Sequence, residues 1–281
     1  MNYDGFYLID KEADWTSFDI CARMRRTVNT RRVGHTGTLD PFATGLLIIA
    51  VGKCTKMIPF LEKAKKTYIT KILLGKTSET LDTESEITDC TPPEKISSRE
   101  EIEKIIAENF MGKIKQTPPQ FSAIKINGKK ACDLARSGQK VAIKERDAEV
   151  FSIEILSYDF PEIEIELTTA AGFYVRSFAS SLGKLVANGG MCLELRRTKI
   201  NDIAVIDAIN VTEISTPIDP KHILTHLKTG EISPGRIPDF VSGRSFDYPG
   251  IEGEKILVTV TEKSIGIGEI LHGKLQPRIV L

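Results

Sequence analysis

Residues 34–45 (Gly-His-Thr-Gly-Thr-Leu-Asp-Pro-Phe-Ala-Thr-Gly) are crowded with turn-formers and give way at once to the apolar run 46–51. The glycines free the backbone and Pro41 fixes its φ, so the stretch continues neither helix nor strand and takes one defined turn path. The apolar run behind it reads as a buried strand. The fold must therefore set a rigid loop directly against a sheet interior. One carboxylate, Asp40, sits near the middle of that loop, with His35 before it and Arg31 and Arg32 at its approach. The residues alone leave two readings open. Asp40 either caps its own backbone in an Asx-turn, or is an acid presented with little freedom for chemistry.

Periodicity places further elements around this junction. Residues 5–9 and 67–74 read as strands. Ser17 is a helix cap, with Phe18, Cys21, Ala22 and Val28 on the apolar side of a helix over 18–28. Ser98 and Glu101 form a capping box for a helix over 98–110. Residues 121–126 read as a strand entering a tight turn at Asn127-Gly128. Ile163, Ile165 and Leu167 alternate with acids, as in a half-exposed strand. A helix over 174–186 and a strand over 192–200 follow. Beyond residue 228 the chain turns rich in Gly, Pro and Ser, then gives strands over 255–261 and 264–271. The expectation is an α+β fold with a mixed, largely antiparallel sheet over 1–228, and a small β-rich module over 229–281.

Formal net charge is zero, yet residues 21–76 hold twelve Lys or Arg and two acids, Asp40 and Glu62. A basic segment on a neutral protein suits local phosphate contacts as well as it suits a solvated face. No apolar run approaches the ~20 residues of a membrane helix. No signal peptide is evident, and the five scattered cysteines form no C-x-x-C pair. The expected setting is a reducing cytoplasm. His222 and His226 stand four apart, but Ile223 occupies the place of the zincin glutamate; no metal site is expected. Gly266-Ile267-Gly268 lacks the third glycine of a dinucleotide loop. A glycosidase would need two matched carboxylates, and the basic surroundings of Asp40 suit RNA better than neutral sugar.

The segment 34–41, followed by Ala43, Gly45, Leu46 and Gly52-Lys53-Cys54-Thr55-Lys56, resembles the signature of the TruB family of tRNA pseudouridine synthases. Lys65-Lys66-Thr67-Tyr68 looks like that family's second motif, and Gly75 with Thr80 and Asp82 like its acidic turn. Pro118-Pro119-Gln120-Phe121-Ser122-Ala123-Ile124-Lys125 resembles the segment packing beside the site. Gly172-Phe173-Tyr174-Val175-Arg176-Ser177 resembles the motif of the active-site arginine, and Leu195-Arg196-Arg197-Thr198 follows it. The family's Lys-Pro-x-Gly turn is changed here to Lys11-Glu12-Ala13-Asp14, without the Pro and Gly.

The resemblance implies a pseudouridine synthase fold with a reduced PUA-like RNA-binding module at the tail. It implies isomerisation of the T-loop uridine at position 55 of tRNA, with Asp40 as nucleophile, Arg176 as its partner and Tyr68 at the base. It implies Tyr174 and Leu195 lining the base pocket, His35 filling the space of the flipped base, and Asp82 positioning loop or substrate. Lys11, Arg31, Arg32 and Lys56 are expected to contact substrate, and Lys66 with its basic neighbours to contact phosphates. No cofactor, membrane or obligatory protein partner is implied, and a monomer is expected. Two other readings use the same residues: a non-catalytic tRNA-folding factor, and a guide-dependent dyskerin-type synthase.

Overall fold

The computed structural model describes residues 3–281 except 123, 127, 140 and 215. Strand β1 (Gly5–Lys11) leads to helix α1 (Ser17–Thr27), the short β2 (Val33–His35) and β3 (Thr44–Val51). Then come β4 (Lys66–Leu74), α2 (Arg99–Asn109), β5 (Gly112–Gln116), β6 (Arg146–Asp159), β7 (Glu162–Thr169), α3 (Val175–Ala187) and β8 (Gly190–Ile200). These strands build a sheet in the order β1-β3-β8-β4-β7-β6-β5, with β2 beside β3. All its pairings are antiparallel except β3 with β8. The α+β class and the mixed, largely antiparallel sheet are as the sequence indicated.

β3 is apolar throughout because both its faces are covered. One face looks to a core shared with α1, α2 and α3, including Leu47, Ile49, Met24 and Phe178. The other holds Leu46, Ile48 and Ala50 in a second core. That second core takes Leu257 and Ile267 from the tail. The tail itself is a five-stranded sheet of β9 (Thr229–Glu231), β10 (Phe246–Asp247), β11 (Lys255–Val260), β12 (Lys263–Leu271) and β13 (Lys274–Val280), ordered β9-β11-β12-β13-β10. It has a core of its own around Phe240, Val258 and Leu275. Among the described residues, no helix is long and apolar enough to cross a membrane.

Four local expectations need correction. The cap of α1 is Thr16, in a capping box with Asp19. Ser17 instead receives the Leu39 N–H at 2.8 Å and donates to the Leu39 carbonyl. Two adjacent hydroxyls could each have capped this helix, and a tertiary contact decides between them. Phe18 is 64% exposed, under the guanidinium of Arg25, and the buried face is Ile20, Cys21 and Met24. The strand expected over 121–126 is reduced to Lys125–Ile126, paired with Lys129–Lys130; Ala123 and Asn127 lie outside the described residues. The long β6 escapes notice because register shifts near Val150 and Ile155 break its alternation.

Gly45 shows how tightly the loop is closed. Its φ is +102°, and a Cβ there would lie 2.3 Å from the carbonyl oxygen of Arg197. Gly45→Ala is expected to cost about 3 kcal/mol through strain and overpacking. A shifted midpoint in urea unfolding measures it; an unchanged midpoint contradicts this view of the junction.

Candidate active site

Four sets of bonds fix the Asp40 loop. Lys11 at the end of β1 is fully buried and donates to the carbonyls of Trp15 (2.7 Å), Glu12 (2.9 Å) and Pro41 (3.1 Å). Ser17 of α1 holds Leu39 from both sides. Arg197 of β8 is buried and donates to Leu46 O (2.7 Å), Gly37 O (3.1 Å) and Thr38 O (3.4 Å). The loop's own backbone adds Ala43 N–H to Asp40 O, and Asp14 N–H reaches Pro41 O. Lys11 therefore holds the loop; its three protons are committed to carbonyls, and burial brings its ammonium down to about 8.

With its loop so held, the Asp40 carboxylate reaches Arg176, whose Nε lies 2.9 Å from Oδ2. This is the ion pair the sequence suggested, and it gives the carboxylate a side-chain partner beyond its own backbone. Arg176 sits in the first turn of α3, where the helix dipole disfavours a cation. Two carboxylates offset that placement. Its other nitrogens lie 3.1 Å from Asp82 Oδ2, 2.8 Å from Thr80 O and 2.9 Å from Phe121 O. The start of α3 is itself fixed by Gln116, whose amide bonds both the N–H and the C=O of Tyr174 at 2.8 and 2.9 Å.

Within this trio the exposures differ sharply: side chains of Asp82 and Arg176 are 0% and 4% exposed, and that of Asp40 is 34%. Only Asp40 faces outward. Asp82, anchored by the Thr80 hydroxyl and the Glu84 N–H, is a buried counter-ion to Arg176. The Asp40 carboxyl is pushed above the ordinary carboxylate value, by burial first. Arg176 opposes that push and Asp82 adds to it. The arginine thus orients the acid and limits the rise.

Asp40 opens into a pocket of about 340 Å³, at the lower end of the ~300–1,000 Å³ common for small-molecule sites. Tyr174 and Leu195 line it, where the resemblance put them, and Tyr68 lines it as well. Tyr68 lies opposite Arg197 in the β4–β8 register, so the two share a face. Burial keeps the Tyr174 hydroxyl above its ordinary value, hence protonated. The pocket also contains Lys66, almost fully buried, rather than on the outer surface where a phosphate contact would place it.

The remaining expected residues lie outside the pocket wall. His35 ends β2, half-buried, and burial lowers its imidazole pKa, keeping it neutral. Arg31, Arg32 and Lys56 are exposed.

Residues 25–175 match the family model described as "TruB family pseudouridylate synthase (N terminal domain)". The chain is 37% identical over 293 residues to tRNA pseudouridine synthase B of Microcystis aeruginosa, covering 99% of both chains. It is 36% identical over 292 residues to the protein of that name from Aquifex aeolicus, again covering 99% of both. Its fold matches a chain of an H/ACA ribonucleoprotein bound to a substrate RNA containing 2′-deoxyuridine, with TM-score 0.73 at 18% identity, over 99% of this chain and 85% of that one. A Cbf5-Nop10-Gar1 complex gives 0.71 at 20% identity, over the same shares. The fold is that of the pseudouridine synthases, and the chain belongs to the TruB family.

Proposed function

We propose that this chain isomerises uridine to pseudouridine in the T-loop of tRNA, at position 55, without cofactor or guide RNA. The observation that carries this reading is an outward-facing carboxylate, Asp40, held by a buried arginine in the wall of a base-sized pocket. The target base must leave its stack to enter such a pocket. His35, beside the loop, is placed to fill the gap it leaves. In the pocket Tyr68 lies against the ring and Leu195 and Tyr174 bound it. Asp40 then either attacks C1′ or takes the 2′ proton. The N1–C1′ bond breaks, uracil turns, C5 joins C1′ and releases Asp40 as a free carboxylate, the C5 hydrogen departs as a proton, and N1 takes up a proton. Atoms and electrons balance within the nucleotide, so no redox partner is called for.

Exposed Arg31, Arg32 and Lys56 contribute phosphate contacts that position the RNA without reading sequence. Residues 1–228 form the catalytic domain and 229–281 a short PUA-like module that adds RNA contact. A cytoplasmic monomer working on free tRNA completes the reading. The test is purified protein with an unmodified tRNA transcript. Pseudouridine at the T-loop position is expected without any addition. Product formed only when a guide RNA and further proteins are supplied would move the chain to the dyskerin-type reading.

A further inference from the structure

Lys66 and Arg197 stand where the isomerase chemistry leaves a need unmet. Both line the pocket, and both are buried, at 6% and 1% exposure. They converge on Gly37. A Cβ built on that glycine would lie 3.7 Å from an Arg197 terminal nitrogen and 3.9 Å from Lys66 Cε. Among the described residues, neither cation forms an ion pair; Lys66 donates to Glu62 O at 3.1 Å and feels the exposed Glu62 carboxylate only at longer range, and Arg197 donates to the loop carbonyls and hydrogen-bonds Tyr68. Asp40 has its own cation in Arg176, so these two charges are not needed to hold it. Burial, with Arg197 beside it, brings the Lys66 ammonium down to about 8, and the nearby Glu62 carboxylate offsets only part of that.

Buried cations satisfied by neutral oxygens, with no carboxylate in contact, are costly, and arriving negative charge relieves the cost. Neutral uracil brings none in the ground state. When the C1′–N1 bond breaks, its electron pair stays on uracil, spread over N1, O2 and O4. This holds whether Asp40 attacks C1′ or removes the 2′ proton. The RNA phosphates are a poorer match, because Arg197 lies deep in the pocket wall and the RNA backbone remains outside.

We propose that Lys66 and Arg197 form a cationic pole that takes the charge of the departing uracil anion and holds that anion while it turns. This deepens the isomerase reading and rests on it. Charge stabilised only as the bond breaks accelerates the step; charge stabilised equally in the bound substrate does not.

Lys66 is the testable member, since Arg197 also holds the loop. Lys66→Met and Lys66→Arg are compared with the parent protein on T-arm transcripts carrying uridine or 5-fluorouridine at the target. Fluorine at C5 stabilises the uracil anion and lessens the need for the pole. Lys66→Met is expected to lower kcat on uridine by about 100-fold with KM changed by less than about threefold. Lys66→Arg should recover most of the rate. On 5-fluorouridine, single-turnover consumption of the intact nucleoside should fall by about tenfold or less. Thermal unfolding of both variants checks that the fold is kept. Equal losses on the two nucleosides would overturn the pole, as would a loss confined to KM, which would put Lys66 on a phosphate. A parent protein inert on uridine would overturn the isomerase reading as well.

Discussion

Asp40→Asn is expected to lower pseudouridine formation on a T-arm transcript by about 10⁴-fold or more, the scale seen when a nucleophile is removed. RNA binding should persist, because the exposed basic residues are untouched. The fold should persist too. The folded pKa of Asp40 is raised, so its contribution to stability is full below the ordinary carboxylate pKa of 3.8 and is lost as pH rises through the folded value. At neutral pH two carboxylates share one guanidinium. Removing the outer one leaves a neutral buried pair, and the variant should unfold no earlier than the parent. The same shift sets the acid limb of kcat/KM for the parent above pH 3.8. A variant that still made product at the normal rate would remove Asp40 from the chemistry.

Arg176→Met carries the second large effect, on both activity and stability. It strands Asp82, whose side chain is fully buried, without its cation. Breaking a buried pair from one side costs about 3–5 kcal/mol. Loss of the oriented carboxylate should lower kcat by about 10³-fold. Arg176→Lys keeps the charge, but one ammonium cannot span Asp40, Asp82, Thr80 O and Phe121 O as the planar fork does. It should recover stability more than rate. Pairing Arg176→Met with Asp82→Asn should return much of the stability and none of the activity. A single variant that unfolded like the parent would show that Asp82 does not depend on Arg176.

Much of this site was legible in the sequence because its parts are short and local. The glycines and Pro41 announce a fixed loop, and the charge balance of 21–76 is compatible with phosphate contacts without requiring them. Asp40, Arg176 and Tyr68 meet as the family motifs implied. Long-range assembly was harder to read. Lys11 looks like any basic residue available to substrate, and only the packing of β1 against the loop turns its protons inward. Asp82 looks like a residue that positions loop or substrate; its side chain is fully buried and pairs with Arg176. Lys65 and Lys66 are adjacent and chemically alike, yet Lys65, just before β4, is exposed, while Lys66, its first residue, is buried in the pocket wall. Gln116 carried no signal at all, since its role depends on β5 lying beside the start of α3. The tail reads as a separate module by composition, but Leu257 and Ile267 join the core behind β3.

The central claim is that the Asp40–Arg176–Asp82 centre breaks a glycosidic bond and rejoins it at C5. A hydrogen leaves C5 only if that carbon–carbon bond is made. The direct measurement is therefore tritium release from a bare tRNA transcript labelled at C5 of its uridines. Release equal to a single uridine per transcript is expected from the parent protein, with none from Asp40→Asn. Tight binding of the transcript with no tritium released by the parent would contradict the claim and leave a tRNA-binding factor in its place.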